Sequence, residues 1–510
     1  MLSLDGIGDD RGVVRTGMSA LIVALGLLLS TGSSAAPVAP TPIGDSLPPG
    51  APAPPQLIGT PGRADPILGV ARPPRHPFMA RNGRSNIHAD AYMTDTYRQC
   101  GPSGRSIERR SSLFAAVCAS HTFDRYGRLF SVCVSLVTVT LRLFDATTLE
   151  MLASYPLPDR PSSPNPFQDF SGGGYFYLDN EGRAVVPTTT RHVFVIRPRG
   201  SRRDATLELE RDYDLTGTLT STDKIISVLP DWSGRIWFAT VEGLIGTIDP
   251  SSGSIQAIAL GESITNSFAV DETGGVYVVS DRALYRLDAA PDGVPVQTWR
   301  EVYQNTLVQK PGQVDDGSGT TPTLLGDEYV AITDNADPMN VVVYRRGASI
   351  SGDRLVCEQP VFPPGAGATD NSLIGVGRSL IVENNYGYTG PAAVQNGAST
   401  TPGVARVDIN ATGTGCTLVW TSNETAPTVV PKLSLRSGLV YLYTKDPDPV
   451  HQVDAWYLTA LDFATGATKW KQLAGTGVFY NNNYAPLSIG PSGAIYVGTI
   501  GGLVALRDAR

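Results

Sequence analysis

Charge, sulfur and histidine are all scarce in this chain of 510 residues. Asp, Glu, Lys and Arg make up 17% of it, with 48 acidic against 40 basic side chains for a net charge of −8, and no long run of either sign occurs. Without a basic stripe there is little to neutralise a phosphate backbone or an anionic bilayer, so nucleic-acid and membrane-surface partners are not favoured. The five cysteines form no CxxC or CxxCH, and HxxxH does not occur, which removes motif support for zinc and for covalently held haem. GxSxG and HExxH are missing as well, so serine-hydrolase and zincin readings have no motif support. A lyase or hydrolase working through carboxylates and histidines stays open.

What is abundant is glycine (54) and proline (39), a composition that suits a turn-dense β protein better than a helical one. Residues 18 to 30, MSALIVALGLLLS, are apolar but short for a membrane span; Arg11 and Arg15 precede them and Ser-Ser-Ala-Ala follows. They read as an export signal over residues 1–35, cut after about Ala35, with an uncleaved anchor as the alternative. Asp9 and Asp10 are unusual ahead of such a run, which raises Met18 as an alternative start. The expected location is secreted or periplasmic, with no membrane contact after cleavage, as a monomer. In that setting five cysteines allow up to two disulfides. Cys118 and Cys133 flank the turn DRYG symmetrically, and Cys357 and Cys416 each fall near the last strand of successive units; either pair could be bridged or could be ordinary buried thiols.

Residues 36–75 are proline-rich and predict an extended, mobile linker. Residues 76–113 are dense in His, Asn, Asp and Tyr and show no period. From 114 to 510 one unit recurs: an apolar run, a glycine turn, a second β run, a variable loop, a third run ending in Asp, and a fourth run. The turn glycines are Gly127, Gly182, Gly234, Gly274, Gly326, Gly377, Gly438 and Gly493, roughly 40 to 60 residues apart, the spacing of propeller blades. Asp145, Asp249, Asp288, Asp408, Asp462 and Asp508 close the third run, where a short carboxylate can bond backbone amides two residues on. Trp299, Trp420 and Trp470 recur on the fourth run and predict packing between neighbouring blades.

ALDFATGATKW at 460–470, with Asp462, Gly466 and Trp470, and IDPSSGSI at 248–255 resemble the repeat of the pyrroloquinoline-quinone-type β-propellers, the quinoprotein-like superfamily. The resemblance covers most of 114–510 and is cleanest in the seventh unit. It implies an all-β, eight-bladed propeller; the superfamily holds quinone-dependent dehydrogenases and scaffolds without cofactor. The last unit is one strand short, and in this fold an N-terminal strand commonly completes the last blade. GRSIERRSS, residues 104–112, is the expected closure strand. The dehydrogenases of this superfamily carry a disulfide between adjacent cysteines beside the quinone; this chain has no adjacent cysteines and no haem motif, which argues against pyrroloquinoline quinone as cofactor.

Strand order puts the glycine turns on one face, the turn face, and the long loops and blade connections on the other, the open face. The connections there are small and polar, and their expected ligand-binding residues are Asn266, Ser267, Thr320, Thr321, Asp370, Asn371, Asn482 and Asn483, with Glu383 and Asn384 from a loop. His88, Asp90, His76 and Asp95 are the catalytic candidates, since histidines and carboxylates supply a general base; the 76–97 segment is expected to lie over the open mouth and present them to the channel. Asp334, Asp337, Glu383, Asn384 and Asp446 offer oxygens suited to Ca²⁺. The functional expectation is binding, and conversion if the channel is catalytic, of a small organic or saccharide ligand at the mouth. A quinone-linked oxidoreductase and a non-catalytic protein-interaction scaffold are the alternatives.

Overall fold

The computed structural model describes residues 44–135, 137–161, 167–169, 171–201 and 204–509. The expected export signal lies outside them, and no helix among them is long and apolar enough to cross a membrane. Eight sheets follow one another, each built on a run of antiparallel strands taken in sequence order from the axis outwards, with strands from the N-terminal part added to blades 7 and 8. Their inner strands are Val117–Phe123, Tyr177–Leu178, Ile225–Pro230, Ala269–Val270, Thr323–Leu325, Ile374–Val376, Lys432–Ser434 and Leu487–Ile489 for blades 1 to 8. Second strands such as Ile236–Thr240, Tyr329–Thr333 and Ile495–Thr499 are buried along their whole length, because neighbouring blades cover both faces. That double burial explains why they read as continuous β-branched and aromatic runs instead of alternating ones.

The eighth sheet has only three strands from the C-terminal part of the chain; its outer strand is Ile107–Leu113, paired antiparallel with Gly502–Asp508. The closure strand is therefore the expected one, and it hides the hydrogen-bonding edge that blade 8 would otherwise expose. The join reproduces the turn used inside other blades. In blade 7, Asp462 accepts the amides of Ala464 and Thr465, and Gly466 follows with φ +74°. In blade 8 the Asp508 carboxylate accepts the amide and hydroxyl of Ser103, and Gly104 follows with φ +81°. The tryptophan of the preceding blade lies on each glycine: a Cβ at Gly466 would stand 2.6 Å from Trp420, and one at Gly104 would stand 2.7 Å from Trp470. Glycine is required twice over, by the positive φ and by the ring above it. The tryptophans pack between blades as expected, and one repeat turn is assembled from the two ends of the chain.

The aspartates at the ends of third strands do not all make that turn. Asp145 and Asp249 do, each accepting two amides. Asp288 and Asp408 instead pair with Arg286 and Arg406, two residues earlier on the same strand. A second set of aspartates, not anticipated from the sequence, opens the glycine turns: Asp124, Asp179, Asp231 and Asp271 each accept the amides two and four residues on.

Residues 57–59 of the proline-rich stretch form a strand on the outer edge of blade 7, antiparallel to Thr468–Thr476. Thr60, Gly62, Ala64 and Ile67 then bond blade 7 and the Ser103 carbonyl. Within its described part the stretch is docked from Ser46 to Ile67, where a mobile linker was expected. Both cysteine pairs are bonded: Cys118–Cys133 across the first hairpin of blade 1, Cys357–Cys416 between the outer strands of blades 5 and 6.

Candidate functional site

Inner strands of a propeller leave one edge facing the axis, and in this chain residues 79–99 cover those edges. Carbonyls of Ser85, Ala91, Tyr92, Thr94, Asp95 and Tyr97 accept from Leu178, Val270, Leu324, Gly375, Leu433 and Leu435, the inner strands of blades 2, 4, 5, 6 and 7 or the residue that follows them. Gln99 donates to the Ile489 and Gly490 carbonyls of blade 8. The segment thus circles the channel at about two residues per blade through its second half, from Ala91 at blade 4 to Gln99 at blade 8. It enters from the turn face. Pro77 and Phe78 bond Asn180, His76 lies edge-on to Trp232, and the Tyr92 hydroxyl meets Glu272 and Arg346. The expectation that it lies over the open mouth is overturned: its carbonyls match the free edges within the channel, and it forms a floor at the turn face.

A cluster of buried polar groups lies above that floor. His88 Nδ1 stands 3.0 Å from Asp95 Oδ2, and Asp95 Oδ1 pairs with Lys432, the first residue of the blade 7 inner strand. His88 Nε2 stands 3.5 Å from Ser372 Oγ, in the connection leading into blade 6, and the ring stacks on Tyr175 with centroids 6.2 Å apart. Burial pushes Lys432 below the usual ammonium range, and the Asp95 carboxylate opposes that shift. Glu383, at the end of the second strand of blade 6, accepts from Asn371 (2.6 Å) and Asn385 (3.0 Å) through Oε1, while Oε2 is buried without a partner. Burial raises its pKa to about 8, against those amide bonds and Lys432. His121, on the inner strand of blade 1, holds Ser488 at 2.6 Å through Nδ1; burial and then Lys432 depress it to about 3, and its Nε2 has no partner.

Of the four catalytic candidates, His88 and Asp95 are brought together. Asp90 is turned inward on its own segment, accepting from Thr94 Oγ1 (2.6 Å) and from the amides of Tyr92 and Thr94; burial raises it to about 7. His76 is apart from them on the turn face, where it accepts the Phe78 amide and burial lowers it to about 4. The open-face residues divide in the same way. Asn266 accepts from Tyr175 (3.3 Å), Ser267 bonds Ser227, Thr321 donates its amide to Ser372 Oγ, and Asn371 reaches Glu383. Asp370 is buried beside Asp315; burial and then that neighbour raise it, and it accepts the Val314 amide at 3.3 Å. Thr320, Asn384, Asn482 and Asn483 are taken up by structural bonds to Thr333, Ala368, Ala485 and Tyr388. The residues that sequence reasoning missed are Lys432, Ser372 as a partner of His88, Tyr175, Asn385 and Asp315. A lysine opening the inner strand of a blade was a visible signal.

Loops roof the open face. The Gly387 amide donates to Pro311, the Tyr484 hydroxyl to Gly312, and the Tyr388 hydroxyl to Asn481 and Asn483. Two cavities lie elsewhere. One of about 580 Å³ borders blade 5 on the open face, lined by Gln304, Asn305, Asp337, Pro338 and Glu358; another of about 340 Å³ lies between blades 2 and 3 under Phe78 and Gly234.

The expected Ca²⁺ ligands do not assemble. Asp334 caps its own loop through Asn340, Asp446 pairs with Lys471, Asp337 accepts the Gly365 amide, and no group of three or more His, Cys, Asp or Glu suited to a metal occurs among the described residues. Nor do the residues fit pyrroloquinoline quinone. The floor segment fills the channel with backbone, and the two disulfides lie on a hairpin and on outer strands.

Ring, order of strands and terminal closure define an eight-bladed β-propeller. No family model matches the chain. An uncharacterized protein of Archaeoglobus fulgidus is 29% identical over 371 residues, which is 66% of this chain and 70% of that relative. Among solved structures, BamB from Moraxella catarrhalis is similar at a TM-score of 0.41 and 13% identity, over 64% of this chain and 93% of that one. A streptogramin B lyase gives 0.40 and 10%, over 79% and 97%, and the WD40 repeats of RRP9 give 0.41 and 9%, over 68% and 92%. Likenesses this distant carry nothing about activity.

Proposed function

We propose that this chain is an exported propeller of the quinoprotein-like kind, secreted or periplasmic, that binds a small organic or saccharide ligand at the buried polar cluster on its axis. One observation carries the reading: His88, Asp95, Lys432, Glu383 and His121 come from four distant stretches and gather around the axis, with Glu383 Oε2 and His121 Nε2 lacking partners. Buried polar atoms without partners are costly, and each is stabilised by a ligand hydroxyl or amide. Tyr175 and Tyr484 add flat apolar surface of the sort sugars and small rings pack on. Export is supported by two disulfides, which persist in oxidising compartments. The quinoprotein-like kinship rests on the Asp462–Gly466 turn with Trp420 lying on it. The test is differential scanning fluorimetry of the purified protein against a panel of mono- and disaccharides, lactones and small esters. A ligand that stabilises the protein, and does so less in N371A, supports the reading. No shift across the panel, with partner proteins recovered on the open face, would transfer the function to scaffolding.

A further inference from the structure

Ser372, His88 and Asp95 stand in the order of a nucleophile, its base and the group that orients the base, although no sequence motif announces them. The tautomer follows from the partners. Asp95 is fully buried and ion-paired with Lys432 through Oδ1, and a carboxylate oxygen only accepts, so His88 carries its proton on Nδ1 to meet Asp95 Oδ2 at 3.0 Å. Nε2 is then a free acceptor. Ser372 Oγ already accepts the Thr321 amide at 3.2 Å, and its own hydrogen is left to turn toward Nε2 at 3.5 Å. Hydrogen bonds of a resting site are often this long and tighten when substrate binds. Tyr175 beneath the imidazole and the Asn86 carbonyl oxygen on the His88 amide fix the ring's position.

Resting on the axial cluster as the ligand site, we infer that Ser372 is a nucleophile for acyl transfer, with His88 as general base and Asp95 as a positioning residue, acting on a small neutral ester or lactone. Ser372 Oγ bonds to the carbonyl carbon as His88 Nε2 takes its proton; the acyl–oxygen bond breaks and the departing alkoxide recovers that proton. Water repeats the sequence, its proton passing to His88 and then to Ser372 Oγ as the acid leaves. The neutral substrate class follows from charge: the buried cation beside the site, Lys432, is committed to Asp95, so a phosphoester anion would be buried there without a counter-charge.

The experiment is labelling of the full chain by a fluorophosphonate, read by peptide mass spectrometry. The expected result is one adduct, on Ser372, absent from S372A and slowed about 100-fold in H88Q. In D95N the rate should fall as the wrong imidazole tautomer is favoured, and its pH profile should shift, which a loss of packing alone would not produce. Should H88Q or D95N fail to fold, S372C decides: its new thiol should alkylate with iodoacetamide faster than Cys100, with a rate rising through the imidazole range. No adduct on Ser372 in folded protein, together with an S372C thiol no faster than Cys100, overturns the inference. If sugars or lactones stabilise protein that never labels, the axial ligand site stands and the nucleophile falls; if Ser372 labels and no panel member stabilises S372A, the nucleophile stands and the ligand class falls.

Discussion

Carboxylates do opposite work at the two radii of this molecule. On the rim, Asp249 and Asp462 sit at exposed turns and accept paired backbone amides; hydrogen bonds from Ser251 and its neighbours draw Asp249 down to about 2. At the axis, Asp90, Asp370 and Glu383 are raised, because burial outweighs the bonds they receive. The rim groups stabilise local geometry while staying in water. The axial groups are held against their solvation by the architecture around them, and that is the condition under which side chains become reactive.

The contrast should be visible as a gradient of mutational cost. Lys432→Met removes the cation that Asp95 is buried against and leaves that carboxyl group with His88 alone; urea unfolding should show a loss of about 3–5 kcal/mol. Glu383→Gln works in the other direction. In the folded protein Glu383 and Asp90 keep their protons to about pH 8 and 7, against 4.5 and 3.8 in the unfolded chain, so stability declines as pH rises from about 4 to 8. His76 and His121 act oppositely: held neutral to about 4 and 3 instead of 6.5, they withdraw stability as pH falls below 6.5. E383Q should therefore gain about 2 kcal/mol at pH 9 and little at pH 5, measured by denaturant midpoints at both values. Gly104→Ala and Gly466→Ala should cost about 1–2 kcal/mol each, and similar amounts, if the turn built from both chain ends is equivalent to the continuous one. Asp462→Ala, at an exposed turn, should cost no more than about 1 kcal/mol by thermal unfolding. A rim substitution that outweighed Lys432→Met would erase the distinction.

How far the sequence could be read follows the same radius. Gly127 to Gly493 mark blades because every copy needs the same turn, and repetition makes a weak local signal strong. Residues 104–112 could be placed as the closing strand from a simple deficit in the last copy. The axis has no such redundancy. Ser85 to Gln99 meet six blades through backbone carbonyls and one side-chain amide, which leave no pattern in the side chains, so the segment was legible as unusual and polar but not as a floor. Ser372 sat among turn-forming neighbours with nothing to distinguish it from Asn371, and its relation to His88 exists only once a span of 284 residues is folded together. Asp334 and Asp446 looked like metal ligands for a complementary reason: oxygen-rich loops serve their own backbone or a nearby lysine first.

The arm at residues 57–113 is also a matter of timing. A ribosome releases it before any of the blades it touches, yet the sheets that receive its strands at 57–59 and 107–113 are built from residues beyond 430. Until those arrive, its strand edges and the apolar faces of Tyr92 and Tyr97 must wait without shelter. Contacts so far apart along the chain make for slow maturation, and a holding chaperone would find its substrate in that arm.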